Sequence, residues 1–515
     1  MKKIFIKLSN TLRYRTMKMC SIEKRVIGAK AGSILLISLL LVMSSCEKFL
    51  TEDLKGEFST NTFYKNDIQA LQALTGVYHA ISFTNSDNVL WVFGDVASDD
   101  AVKGGFGGDQ TEITYIDEFN ANSSNGMIKI YWTCVYDAIA QANNVITNVP
   151  AVPMDEALRN RIIGEAKFIR AYSYFNLVNI FGKVPLKLEP QLTQEAIHVP
   201  LSEVSAIYSQ IETDLTDAAK VLPESYGSAD VGRATKGAAY AMLGKACLYQ
   251  EKWGEAIGYF HQVEAIGGYG LLNNYADNFK LAFENSKESI FEIQHLTNQI
   301  PGTGSTLNQW FAPFKEGGYF FNAPTQSLVD SYERSTTGDV DPRLDASIGR
   351  DGQMWLNGEV FSSSWSEATG YLTKKHQQPL SEVSSSLKGD GDLNYIYLRV
   401  ADMLLMKAEA FNESGNADSA LVNLNKVRLR ARRSFNGTIP DDLLKDITTT
   451  NKEQLRIAIR KERRAEMAQE FHRYFDLMRW GKTVAEAALG TDFNYEEDRY
   501  LPIPQAEIDA NQALN

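Results

Sequence analysis

Residues 404–427 read LLMKAEAFNESGNADSALVNLNKV, and their spacing decides the fold. Small Ala408 is followed by Phe411, then by a turn glycine at Gly415, then by Ala420 and Leu424 at offsets twelve and sixteen from Ala408. A tetratricopeptide unit needs small residues where two antiparallel helices touch, and a turn residue between them. Residues 243–260, LGKACLYQEKWGEAIGYF, repeat the scheme, with Leu243 and Gly244, Trp253 at the turn, Ala256 twelve after the glycine, and then Phe260. A weaker third copy closes with Leu215, Ala218 and Pro223. A generic helical hairpin would carry nearly the same pattern, and physically it differs little. Two copies with the turn residue in place favour the repeat.

Outward from these units, helical periodicity runs from about Asn66 to Leu281, with a loop expected between Asn85 and Asn125. In residues 161–186, RIIGEAKFIRAYSYFNLVNIFGKVPL, Ile162, Ala166, Ile169, Ser173, Leu177 and Ile180 share one small or apolar helix face, and Gly182 and Pro185 stop the helix. Between about Asn285 and Asn394 that periodicity is lost. Gly, Ser, Asn and aromatics crowd PGTGSTLNQWFAPFKEGGYFFNAPT (301–325) and GQMWLNGEVFSSSWSEATGYLTKK (352–375), with a short strand expected in ESIFEIQHL (288–296). Long irregular stretches in compact proteins tend to be functional or disordered, and aromatic richness argues against disorder. The organisation expected is a signal over 1–45, a helical region over 46–284, a loop-rich ligand-binding insertion over 285–394 and a helical region over 395–515.

The front end sets location. Nine Lys and Arg residues against Glu23 precede an apolar run from Ser33 to Met43, too short to span a bilayer, which needs about 20 apolar residues. That is a secretory signal, and Cys46 directly after Ser44-Ser45 is placed like the lipid-accepting cysteine of a bacterial lipobox. Translation from Met17 or Met19 would shorten the long basic region. Removal of residues 1–45 leaves 43 basic and 63 acidic residues, a net charge near −20. Such an excess disfavours nucleic acid, whose binding needs Lys and Arg on phosphates, and argues against polyanionic ligands. Cys134 and Cys247 are left for the core, with neither a disulfide framework nor metal-ligand spacing.

Five segments resemble the SusD/RagB family of outer-membrane lipoproteins: IYWTCVYDAIAQANNVI (130–146), GEAKFIRAYSYFNLVNIFGKVPL (164–186), YLRVADMLLMKAEAFNESGNADSALVNLNKVRLRA (397–431), RKERRAEMAQEFHRYFDLMRWGK (460–482) and RYLPIPQAEIDANQALN (499–515). The resemblance covers nearly all of the mature chain. One departure is the end, where the family commonly continues with Gln-Asn-Pro-Gly-Tyr and this sequence stops at Asn515. The resemblance implies a mainly α fold of tetratricopeptide-like hairpins carrying a variable, aromatic-rich loop region. It implies lipidation of Cys46, an outward-facing place on the outer membrane, and a role as a lid that binds oligosaccharides and delivers them to a SusC-like TonB-dependent transporter. A peptide-capturing lid, as in the RagB branch, is the alternative within the fold. A surface glycoside hydrolase is the alternative of another class.

Nothing in the motifs points to bond-breaking chemistry. A GxSxG elbow, a P-loop, HExxH and a full EF-hand loop are absent, and His79, His198, His261, His295, His376 and His472 are not paired in sequence. No cofactor is expected. KGDGDLN (388–394) and GDVDPR (338–343) resemble fragments of calcium loops but supply too few spaced oxygens, so a structural Ca²⁺ is the most they allow. Sugar recognition instead needs flat apolar faces for pyranose C–H groups, on side chains with few torsions to freeze. Trp132, Trp253 and Trp480 sit in helical or repeat motifs and are expected in the core. In the family the glycan site is built from the loop after the first helix and from the middle region. That singles out Trp310, Tyr319, Trp355, Trp365 and Trp91 for stacking, with Asp99 and Asp100 as hydroxyl acceptors. GGFGGD (104–109) lacks a strand–glycine–helix setting and reads as a flexible loop. The charge-dense RKERRAEMAQEFHR (460–473) is expected to place Glu462, Arg463, Glu466 and Arg473 in a partly buried polar network.

Overall fold

Six helices form the N-terminal scaffold: α1 (Asp67–Ala80), α2 (Gly126–Asn148), α3 (Glu156–Phe181), α4 (Val204–Val221), α5 (Lys236–Tyr249) and α6 (Trp253–Ile266). Several begin where a short polar side chain takes up an otherwise orphaned first-turn N–H. Asn66 accepts from the Gln69 amide, Asn125 from Met127 and Ile128, Asp155 from Leu158 and Thr235 from Ala238. Helix α3 ends at Gly182, as its sequence requires. Successive helices α3 to α6 pack side by side. The reason for glycine at 244 is direct: a Cβ there would lie 2.3 Å from the ring of Phe260, which fills the space between α5 and α6. The structure is a computed structural model that describes residues 63–84, 87–193, 195–299, 302–379, 381–383 and 391–514. The signal and Cys46 lie outside the described residues.

The second repeat forms as its spacing predicts. Helix α7 (Val400–Glu413) and helix α8 (Ala417–Arg433) meet through fully buried Ala408, Ala420 and Leu424, and Gly415 turns between them with φ +83°. Helix α9 (Lys452–Met467) packs on α7, and α10 (Arg473–Arg479) follows. Cys247 is buried, Cys134 is half-buried, and burial pushes both thiols up to about 12.

The stretch 85–125, expected as a loop, carries structure of its own. A π-helical turn (Val92–Val96), strand β1 (Ala101–Gly104) and a short helix (Thr111–Asp117) occupy it. The turn is buried throughout, and a Cβ on Gly94 would meet the carbonyl oxygen of Phe471 at 2.2 Å, so the backbone itself is core. Strand β2 (Ser289–Ile293), in the place the sequence suggests, pairs antiparallel with β4 (Tyr395–Arg399), while β3 (Phe321–Pro324) pairs antiparallel with β1. The irregular segment therefore leaves the scaffold through β2 and returns through β4, and residues 64–515 form one compact unit.

The charged segment of α9 turns inward. Glu466 accepts from Arg343 at 3.0 Å, from Arg399 at 2.5 Å and from Arg430. Glu462 accepts from Arg343 and Arg428, each at 2.6 Å, and Arg463 donates to Asp402 and Asp476, each at 2.5 Å. Burial alone would raise the Glu466 carboxyl, but the three guanidiniums hold it well below the usual carboxylate range. The network is wider and more deeply buried than the partly buried one expected. Desolvating so many charges offsets much of their attraction, so its strongest effect is to make any single missing partner costly.

Candidate functional site

The middle segment builds an aromatic stem that runs from core to surface. Trp91 is wholly buried, with Trp310, Phe311 and Phe321 around it at ring-centroid distances of 5.6, 5.4 and 6.2 Å. Trp310 is buried in turn, and Tyr319 lies 5.7 Å beyond it, nearly perpendicular. Tyr319 is 45% exposed, and its hydroxyl accepts from Gln309 Nε2 at 2.9 Å. The stem thus fixes a tyrosine at the surface through both ring packing and a hydrogen bond.

Beside it stands a pair of phenylalanines. Phe106 is 38% exposed and Phe314 63% exposed, with centroids 5.2 Å apart, and both lean on buried Phe320 at 4.9 and 6.5 Å. Phe106 arrives on the Gly-rich loop after β1. Its approach needs glycine: Gly104 and Gly105 have φ +75° and +64°, and a Cβ on Gly105 would strike the Phe321 ring at 2.8 Å. The Gly105 amide donates to the Phe320 carbonyl at 3.0 Å, and Lys103 Nζ donates to the carbonyls of Phe106 and Asp109 at 3.0 and 2.7 Å. The loop is therefore anchored at its base, whereas Gly107 and Gly108 have open space around them. The interplanar angle of Phe106 and Phe314 is 74°, so the platform is stepped and its rings are not coplanar.

A short hairpin flanks the platform. Met354 bridges Val360, both side chains are exposed, and Asn357 Nδ2 donates to Glu316 at 2.9 Å. Under it, Trp355, Phe361, Phe320 and Leu372 form a small buried cluster on which half-buried Trp365 packs. Exposed apolar groups gathered this way mark interaction surfaces.

Of the side chains singled out from sequence, Tyr319 and Trp365 reach this surface. Trp91, Trp310 and Trp355 do not, because other rings cover them, and they support the platform from beneath. Asp99 and Asp100, expected as hydroxyl acceptors, already have partners within the protein. Asp99 pairs with Arg473 at 2.7 Å and with Arg464 at 2.9 Å, and Asp100 pairs with Arg464 at 2.7 Å. These carboxylates tie the segment after the π-helical turn to α9 and α10. Sequence reasoning missed Phe106 and Phe314. The signal available was a lone phenylalanine in GGFGGD, whose partner lies two hundred residues away.

The carboxylate oxygens of GDVDPR are also engaged, Asp341 accepting from Arg343 and Asp339 from Thr337 and Ser335, while KGDGDLN lies partly outside the described residues. Glu212, Cys247 and Glu255 bring ligand-type atoms within 4.8 Å of one another. Lys252 neutralises Glu212 at 2.6 Å there, and burial raises the thiol to about 12, which makes the trio a poor cation site.

Fold and surface together define a class: a tetratricopeptide-like helical scaffold that presents a stepped aromatic face from an irregular insertion. Residues 287–498 match the family described as SusD family, and residues 59–248 match the one described as starch-binding associating with outer membrane. The chain is 30% identical to a solved laminarin-binding SusD-like protein, covering 87% of this chain and 98% of that one, with a TM-score of 0.73. A SusD-like carbohydrate-binding protein from Bacteroides fragilis superposes with a TM-score of 0.75 at 26% identity, over 88% of this chain and 100% of that one. A SusD-like protein of Formosa agariphila is 25% identical over 93% of this chain and 97% of its own length. The chain belongs to the SusD family.

Proposed function

We propose that this protein is a lipid-anchored lipoprotein on the outer face of the outer membrane that binds oligosaccharides without cleaving them and passes them to a SusC-like TonB-dependent transporter. The observation that carries the binding step is the exposure of Tyr319 at the end of the aromatic stem and of Phe106 and Phe314 beside it on buried Phe320. Rings held in place lose little entropy when a pyranose face settles on them. Their stepped arrangement suits a glycan whose successive residues turn, better than a flat ribbon. The two lysines of the platform are engaged, Lys103 with backbone carbonyls and Lys315 with Glu359, which favours uncharged glycans over acidic ones. The names of the relatives, laminarin-binding and carbohydrate-binding, support the same reading. So does the description of the N-terminal match for the outer membrane, and Cys46 after Ser44-Ser45 supplies the residue to be acylated. Two or more acyl chains hold a protein at a membrane far more firmly than one. Capture of this kind needs no cofactor.

The test is native affinity electrophoresis of the mature domain in gels containing laminarin, starch, xylan or mannan, with Phe314→Ala and Tyr319→Ala alongside. Retardation of the wild type by at least one polysaccharide, lost in both variants, is the expected result. Retention by a peptide mixture and by no glycan would replace the sugar reading with the peptide one. Release of shorter products would make the protein a hydrolase. Co-purification of the full-length, acylated protein with a barrel from outer membranes tests the delivery step.

A further inference from the structure

Trp365 reaches the surface beside the platform, yet its ring is already covered. Lys315 Nζ lies over the indole, 4.0 Å from the ring centroid, and the same ammonium pairs with Glu359. Lys315 belongs to the helical turn Phe314–Glu316, directly after the exposed Phe314, whereas Glu359 belongs to the hairpin closed by Met354 and Val360. Trp355 and Phe361 hold the indole from its other sides, at centroid distances of 6.2 and 5.0 Å and interplanar angles of 89° and 66°. The indole is thus fixed by buried rings, and its cover is a flexible, solvent-facing lysine.

We propose that Lys315 and Glu359 form a clasp over a cryptic stacking subsite, and that the pyranose ring of a neutral glycan displaces the ammonium from Trp365 and takes its place. The inference rests on the glycan-binding reading and extends the platform by one sugar. The clasp is made of contacts that open easily. The two side chains of the ion pair are 41% and 53% exposed, a setting in which such pairs add little, and an ammonium over an exposed aromatic adds only a little more. A lysine stem swings through several torsions at small cost, while a sugar face gains apolar contact with the indole that a single ammonium cannot match. Both halves of the clasp are electrostatic, so added salt loosens it while leaving sugar stacking largely intact.

The experiment pairs a ligand-free readout with a binding readout. Acrylamide quenching of the Trp365 fluorescence, isolated by difference from a Trp365→Phe variant, is expected to increase in Lys315→Ala without any sugar. In laminarin, starch, xylan and mannan gels, Lys315→Ala is expected to bind the retained polysaccharide about three- to ten-fold more tightly than wild type. That gain should vanish in Lys315→Ala/Trp365→Ala. Unchanged or weaker binding by Lys315→Ala, with Trp365 unmasked and the melting temperature unaltered, would overturn the clasp, and weaker binding would make Lys315 a direct ligand contact. If wild type is retained by none of the four, the glycan reading fails and the subsite falls with it. An increase in quenching would then show that Lys315 covers the indole for another reason, and so keep the two failures apart.

Discussion

The α9 segment and the aromatic platform invert the usual distribution of residues. Glu462, Arg463 and Glu466, which as a run of charges would ordinarily face water, are buried. Phe106, Phe314 and Tyr319, which would ordinarily be buried, face water. The two inversions have different consequences. Charges locked among partners in a dry interior cannot move without exposing an unpaired ion, so that region is rigid and serves the scaffold. Rings that keep one side on a stem and one side in solvent leave apolar area uncovered, so that region is stable and still has free energy to gain from a ligand.

Breaking the scaffold side should give the largest effect. Glu466→Ala would leave Arg343, Arg399 and Arg430 without their shared acceptor, and a loss of about 3–5 kcal/mol is expected in urea unfolding. Gly244→Ala, which forces the buried Phe260 ring aside, should cost about 1–3 kcal/mol by the same measurement. The platform should respond in the opposite sense. Phe314→Ala should leave stability within about 0.5 kcal/mol of wild type while weakening glycan retention about ten-fold. Equal losses of stability from Phe314→Ala and Glu466→Ala would erase the contrast.

The two regions also differ in the sign of their pH dependence. Glu466 has its carboxyl depressed in the fold, so its contribution is present above the unfolded value near pH 4 and is lost as pH falls below it. Asp95, under the platform, is raised by burial to about 8 although it accepts from Asn322 Nδ2 and the Phe471 amide. Its protonated form is the one the fold prefers, so its contribution is greatest below about pH 4 and declines as pH rises through about 8. Asp95→Asn, which stays neutral, should therefore flatten the fall of the melting temperature between about pH 4 and 8. A fall as steep as in wild type would mean that Asp95 is charged in the native protein.

Much of the scaffold was legible because its signals are local. Helix caps, the Gly182 stop, the Ala408–Gly415–Ala420 spacing and the strand in ESIFEIQHL each depend on residues a few positions apart. The middle segment could be marked as irregular and aromatic-rich from its composition, but the side chains within it could not be sorted. Trp91 and Trp310 look from sequence much like Trp365, and burial separates them because Phe311 and Phe321 cover them. Asp99 and Asp100 look available until Arg464 and Arg473 close on them from the far end of the sequence. By itself, then, the sequence determined the repeat hairpins, the acidic balance and the family, since periodicity, spacing and composition are properties of neighbouring residues. Which rings face solvent, which carboxylates are already paired, and where Lys315 rests were decided only by the tertiary structure, because exposure depends on what distant segments bring to the same place.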